Sequence, residues 1–326
     1  MNLVESYKDD LKLIEKPWTV CWIGMAVMAL FLLPRFGSEH LIYMGTLIFI
    51  VSIGVMGQNI LIGYTGQISL GQAGFLALGA FSFGHMMQAG VPLCLALPAG
   101  GCVAALFGVL VGFPSLRLKG PYLAIVTLGF GIAVYQTFTS FEVLSGGRMG
   151  LVIPKFPALL GLSREVSVYY FSLILGIVFT LGTYNLISSY VGRAFVAIRD
   201  NDIAAEVLGV NLPRYKLLSF AVSSFYTGIQ GALFAMFMGF IDPQMFNFSE
   251  SLILFIAVVI GGLASVEGAI FGAAFVVLIP QIFSGYKELV PVIFGVTVVF
   301  IMIYEPLGLA GRWFKFRLYY RNWPFR

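Results

Sequence analysis

Between Trp18 and Tyr304 the chain is a succession of apolar runs with no aspartate, glutamate, lysine or arginine in their interiors. They fall at about 18–34, 41–62, 66–88, 92–116, 121–140, 167–191, 217–240, 251–264, 268–284 and 289–304. A helix needs about 20 residues to cross the hydrocarbon core of a bilayer, and inside lipid its backbone polar groups must be bonded internally. The expected fold class is therefore all-α. The chain reads as a polytopic membrane protein with about ten transmembrane helices, some broken or re-entrant. The eighth and ninth runs are short and separated only by 265–267, so a re-entrant pair and two tilted spans are both open. Composition agrees. The chain is 59% hydrophobic and 10% charged, where soluble domains carry about 25% charge.

The basic residues set the expected orientation. Ten spans place both termini on one face, together with the 116–120 turn and the 192–216 loop. That face holds fourteen lysines and arginines, among them Lys8, Lys12, Lys16, Arg193, Arg199, Arg214 and Lys216. The other holds five: Arg35, Arg148, Lys155, Arg164 and Lys287. This asymmetry predicts cytoplasmic termini. The organisation is then a cytoplasmic segment over 1–17, a transmembrane domain over 18–304 and a basic cytoplasmic tail over 305–326. The apolar run after Pro17 is too long for the core of a secretory signal, and no small-residue cleavage site follows it.

Several chemistries find no support. Cys21, Cys94 and Cys102 lie in apolar runs and read as small core residues, with no disulfide framework and no zinc-type spacing. No phosphate-cradling glycine–lysine loop occurs, so the chain offers no nucleotide site of that kind. His85 is the only imidazole at membrane depth, and no intramembrane carboxylate accompanies it as a proton relay. No cofactor, metal or catalytic residue is expected, and the chain does not read as an enzyme.

Two segments stand out. Residues 192–216 carry the densest mixed-charge cluster: Arg193, Arg199, Asp200, Asp202, Glu206, Arg214 and Lys216. The spacing predicts one short helix held in a loop. Asp200 or Asn201 caps it, Ile203, Ala204, Ala205, Glu206, Val207 and Leu208 form its turns, Gly209 ends it, and Pro213 stops continuation. Its apolar face carries Ile203, Val207 and Val210. A solvated loop and a docking element are both open readings.

The other segment is Gly63 to Gly74, where Tyr64, Thr65, Gln67, Ser69 and Gln72 interrupt an apolar run beside Gly66, Gly71 and Gly74. That polar load fits a broken helix lining a polar cavity. Ala73, Ala77, Ala80 and Gly84 share one helical face and admit a close neighbour, as do Gly108 with Gly112 and Gly268 with Gly272. Gly261-Gly262-Leu-Ala-Ser echoes the first glycine stretch and suggests an internal repeat of the second to fifth runs in the seventh to tenth.

These motifs carry a resemblance. Gly66-Gln-Ile-Ser-Leu-Gly-Gln-Ala-Gly-Phe75, the 116–131 stretch Leu-Arg-Leu-Lys-Gly-Pro-Tyr through Gly-Phe-Gly, the loop from Gly192-Arg-Ala to Arg214-Tyr-Lys, Gly261-Gly-Leu-Ala-Ser and Pro306-Leu-Gly-Leu-Ala-Gly resemble branched-chain amino-acid ABC-transporter permeases of the M type. The resemblance covers nearly the whole chain after the first run. Gln72 stands where many members have His, Ile203 where the general coupling motif has Glu, and Arg148 where many have a smaller residue.

The resemblance implies a permease subunit of a bacterial inner-membrane importer, moving leucine, isoleucine and valine with ATP hydrolysed elsewhere. Its implied partners are a second homologous permease, two cytoplasmic ATP-binding subunits and a periplasmic binding protein, in contact with membrane lipid and without nucleic acid. Gly66, Gln67, Ser69, Gly71, Gln72 and Gly74 are the expected substrate path, with free backbone N–H groups at a helix start, glycines facing the partner permease, and Glu267 at the corresponding turn of the second half. Ile203 to Gly209 are the expected contact with the ATPase. Urea or another small amide or amino acid as substrate, a secondary transporter acting alone, and a scaffold without a transport role are the alternatives.

Overall fold

The computed structural model describes residues 17–118, 120–147, 150–154, 163–305 and 308–313. The segment before Pro17, the cations Lys119, Arg148 and Lys155, and the tail after Trp313 lie outside the described residues.

The chain folds as helices α1 (Pro17–Phe36), α2 (Glu39–Asn59), α3 (Gln72–Gln88), α4 (Leu93–Ser115), α5 (Pro121–Ser140), α6 (Glu142–Ser145), α7 (Arg164–Ser188), α8 (Tyr190–Asp200), α9 (Asp202–Val207), α10 (Leu212–Met238), α11 (Phe248–Gly261), α12 (Val266–Ile282) and α13 (Val290–Tyr304). A π-helical turn over Ile60–Tyr64 extends α2. Strands β1 (Leu151–Val152) and β2 (Phe240–Ile241) pair antiparallel, Leu151 opposite Ile241. Each of the ten apolar runs is met by one helix. Glu39–Tyr64, α4, α5, α7 and α10 are long and apolar enough to cross a membrane, while α11, α12 and α13 are shorter apolar helices. The protein is an all-α polytopic membrane protein.

Several boundaries differ from expectation, among them the start of the seventh helix, at Leu212 rather than 217. The third helix starts at Gln72 rather than 66, because residues 65–71 leave the helix altogether. The sixth ends at Ser188. The segment after it is not one helix in a loop, because α8 precedes α9. Phe195 and Ile198, one turn apart, bury one face of α8 against the bundle.

Helix α10 runs through the centre, against α2, α3 and α4. Small residues permit this. A Cβ at Gly79 would collide with the backbone of Gly228, and one at Gly108 with Ser224. In lipid, where apolar contact gives helices no advantage over acyl chains, such close approach is the main packing gain. Gly268 and Gly272 play the same part between α12 and α11. The two glycine stretches both fall at helix breaks. One lies between the second and third runs and the other between the eighth and ninth, so they do not occupy equivalent places in the expected repeat. They meet each other instead.

Candidate translocation and coupling site

The first break follows from local chemistry. Thr65 turns its hydroxyl back onto the Leu61 carbonyl at 2.5 Å, and Gly66 takes φ +69°, a conformation that glycine adopts without strain. The chain then runs non-helical to Gly71. Gln67 in this stretch and Gln72 just after it are bonded to one face of α10, where Ser219, Ser223 and Thr227 recur every four residues. Gln67 Nε2 donates to Ser219 Oγ at 2.7 Å and to Thr65 Oγ1 at 3.2 Å. Gln72 Nε2 donates to Ser223 Oγ at 3.2 Å, and Thr227 Oγ1 donates to Gln72 Oε1 at 2.8 Å. These groups form a buried seam of amides and hydroxyls without a formal charge. The Gln67 Oε1 atom is buried and has no partner.

The backbone of the segment is largely occupied. Leu70 N–H donates to Thr127 Oγ1 at 3.0 Å, Gly71 N–H to Ser69 Oγ at 3.4 Å, Ala73 N–H to Ser251 Oγ at 2.8 Å and Gly74 N–H to the Gly71 carbonyl at 3.1 Å. Of the donors expected to be free at this helix start, those of Leu70, Gly71, Ala73 and Gly74 are therefore taken in this conformation. Gly71 and Gly74 also differ from the partner-facing role expected of them. A Cβ on Gly71 would collide with the Thr127 carbonyl oxygen, and one on Gly74 would sit 3.1 Å from Gly131, both on α5 of the same chain.

Two cavities are lined in part by residues 65–73. One of about 440 Å³ is lined by Thr65, Gly66, Gln67, Arg199, Asp202 and Lys216, among others. The other, about 290 Å³, is bounded by Leu70, Ala73, Ile132, Tyr135, Phe248 and Ser251. Ser69, Gly71 and Gln72 are buried in the chain between them. Glu267 begins α12.

The coupling segment is built by caps. Asn201, not Asp200, caps α9, accepting the Ala204 N–H at 3.0 Å. Gly209 ends it at φ +88°, and Val210 N–H returns to the Ala205 carbonyl at 3.0 Å. Asn211 then caps α10 through Arg214 N–H at 3.1 Å. Lys216 Nζ stands 3.5 Å from Asp202 Oδ2. Ala205 is 2% exposed and seats the helix, whereas Ile203, Val207 and Leu208 are 68%, 83% and 83% exposed. The apolar face thus presents Leu208 in place of the half-buried Val210.

Sequence reasoning missed Ser219, Ser223, Thr227, Thr127 and Ser251, which hold the glycine segment. The four-residue spacing in α10 was the visible signal. It also missed Asn59, a lone amide at the end of an apolar helix.

A family model described as the permease component of branched-chain amino acid transport systems matches residues 40–304. The chain belongs to this family. It is 34% identical over 324 residues to the high-affinity branched-chain amino acid transport system permease protein LivM of Salmonella typhimurium, covering 90% of this chain and 75% of the relative. The LivM of Escherichia coli is 34% identical over 85% of this chain and 71% of its own length. The autoinducer 2 import system permease protein LsrC of Salmonella paratyphi B is 28% identical over 79% of this chain and 76% of its own length. No solved structure matches the chain.

Proposed function

We propose that this family member is a membrane-spanning permease subunit of a bacterial ABC importer for leucine, isoleucine and valine. Its partners are a second homologous permease, two cytoplasmic ATP-binding subunits and a periplasmic binding protein. It sits in the inner membrane with both termini and the α8–α9 segment cytoplasmic, as the lysine and arginine asymmetry supports. The observation that carries the reading is α9: a doubly capped helix that holds three aliphatic side chains in the open while its one buried residue anchors it. Exposed apolar side chains rimmed by charge are the anatomy of a protein interface. The neutral seam supports the substrate class, because a zwitterion passing it meets no fixed charge that would trap it.

Reconstitution of the chain with its partner subunits in liposomes tests this. Leucine uptake should require ATP on the α9 side and be competed by isoleucine and valine but not by urea. Uptake by the chain alone, or competition by urea only, would refute the proposal.

The path is tested by thiol labelling in a cysteine-free background. Cysteines replacing Ser69 and Gln72 should resist a membrane-impermeant reagent at rest, since both positions are fully buried. They should react during turnover, when the seam opens. A cysteine at 203 should react from the cytoplasmic side in the chain alone, where Ile203 is 68% exposed, and be protected once the ATP-binding subunits are bound. Resistance at 69 and 72 under turnover moves the path elsewhere.

A further inference from the structure

The π-helical turn that extends α2 lies against the break that follows α11. Asn59, the last residue of α2, is buried. Its Oδ1 accepts the Ala264 N–H at 2.9 Å and its Nδ2 donates to the Ser265 carbonyl at 2.7 Å. One side chain thus satisfies a donor and an acceptor of the second break, as a neighbouring strand would. Ala264 is the non-glycine residue with positive φ, 57°, among the described residues. An alanine there is held by its surroundings, not by its own preference. A Cβ at Gly63 would collide with both Asn59 Oδ1 and Ala264 N, so the breaks interlock.

The same turn is tied to the coupling segment. Arg199, one residue from the end of α8, donates from Nη1 to the Gly63 carbonyl at 3.0 Å. Its Nε and Nη2 donate to Asp200 Oδ1 at 3.2 and 3.1 Å. That ion pair is substantially exposed and adds little stability by itself. Its geometric effect is to fix the guanidinium plane so that Nη1 faces Gly63. Asn201, the cap of α9, follows two residues later.

We propose that Asn59 and Arg199 are positioning residues that tie the α8–α9 segment to both helix breaks, so that a displacement of α9 moves 60–66 and 262–265 together. The proposal rests on the reading of α9 as the ATPase contact. Its physical basis is a continuous set of side-chain-to-backbone bonds joining three segments distant in sequence.

Two measurements decide it. The first is amide hydrogen exchange on the purified full chain. Arg199→Met should speed exchange at 262–265 by about tenfold, although Arg199 makes its bond at Gly63. Exchange there equal to the parent's overturns the proposal. The second is the number of solute molecules moved per ATP in the reconstituted complex. Asn59→Ala and Arg199→Met should each lower this ratio by about tenfold, the double variant should fall no further, and Arg199→Lys should recover part of the loss. A purely structural defect would lower uptake and hydrolysis together and leave the ratio intact. An unchanged ratio, or losses that multiply in the double variant, overturns the proposal. Should no ATPase subunit bind the chain, the reading of α9 fails, while the exchange result still decides whether the ties exist.

Discussion

Val207→Asp combined with Leu208→Asp is expected to abolish ATP-driven uptake and release the ATPase subunits while the permease stays folded. Both side chains are 83% exposed, so neither substitution removes core packing. Surface changes of this kind usually alter stability by less than about 0.5 kcal/mol each. At an interface the same positions act as anchors. A central aliphatic anchor contributes about 2 kcal/mol, and burying a carboxylate adds to the loss, so two substitutions should weaken docking by about a thousandfold. Pull-down of the ATPase with the purified variant measures this directly. Glu206→Gln, on the exposed polar side, should retain binding. Ala205→Arg is a different experiment, because Ala205 seats α9 on the bundle and its replacement disturbs the helix itself. Full binding by the double aspartate variant would leave α9 a connector.

The second large effect is expected at Gly71. Its φ is −98°, so no unusual backbone conformation forbids a larger residue. The obstacle is space: the Cβ would collide with the Thr127 carbonyl oxygen, and backbone of a spanning helix cannot swing aside as a side chain does. Gly71→Val must push 66–71 away from α5 and strain the Leu70–Thr127 bond. Overpacking of this kind costs about 3 kcal/mol, and transport should be lost with it. Thermal unfolding in detergent should show the loss of stability. Gly129→Ala, also on α5, is the matched control. Nothing lies within 4 Å of its added Cβ, and replacing a mid-helix glycine gains up to about 1 kcal/mol in helix propensity. Normal stability and uptake in Gly71→Val would remove this segment from the path.

The legible parts of the molecule were those governed by short-range rules. Each apolar run became a helix, since lipid leaves the backbone no alternative. The α9 cap, its turns and its Gly209 terminus were readable because capping acts over three or four residues. The illegible parts depend on distant partners. Residues 66–71 sit inside a run apolar enough for a helix. Their departure from it is stabilised by Ser219, Ser223, Thr127 and Ser251, which local pattern does not connect to them. Helix α8 was hidden for a different reason. Its arginines and aspartate mask a helical stripe of Phe195 and Ile198 that is obvious only once the bundle surface it covers is known.

The seam also bears on how the chain is made. Gln67 and Gln72 find their hydroxyl partners 152 and 151 residues further along. At synthesis rates of about 5–20 residues per second, those partners emerge roughly 10–30 s later. Until then the two amides have no place in hydrocarbon, where an unbonded amide costs several kcal/mol. The 66–88 region is therefore expected to stay in a wet or protein-lined setting at the insertion machinery until α10 arrives, and crosslinking of stalled chains to that machinery before and after residue 227 emerges would test it.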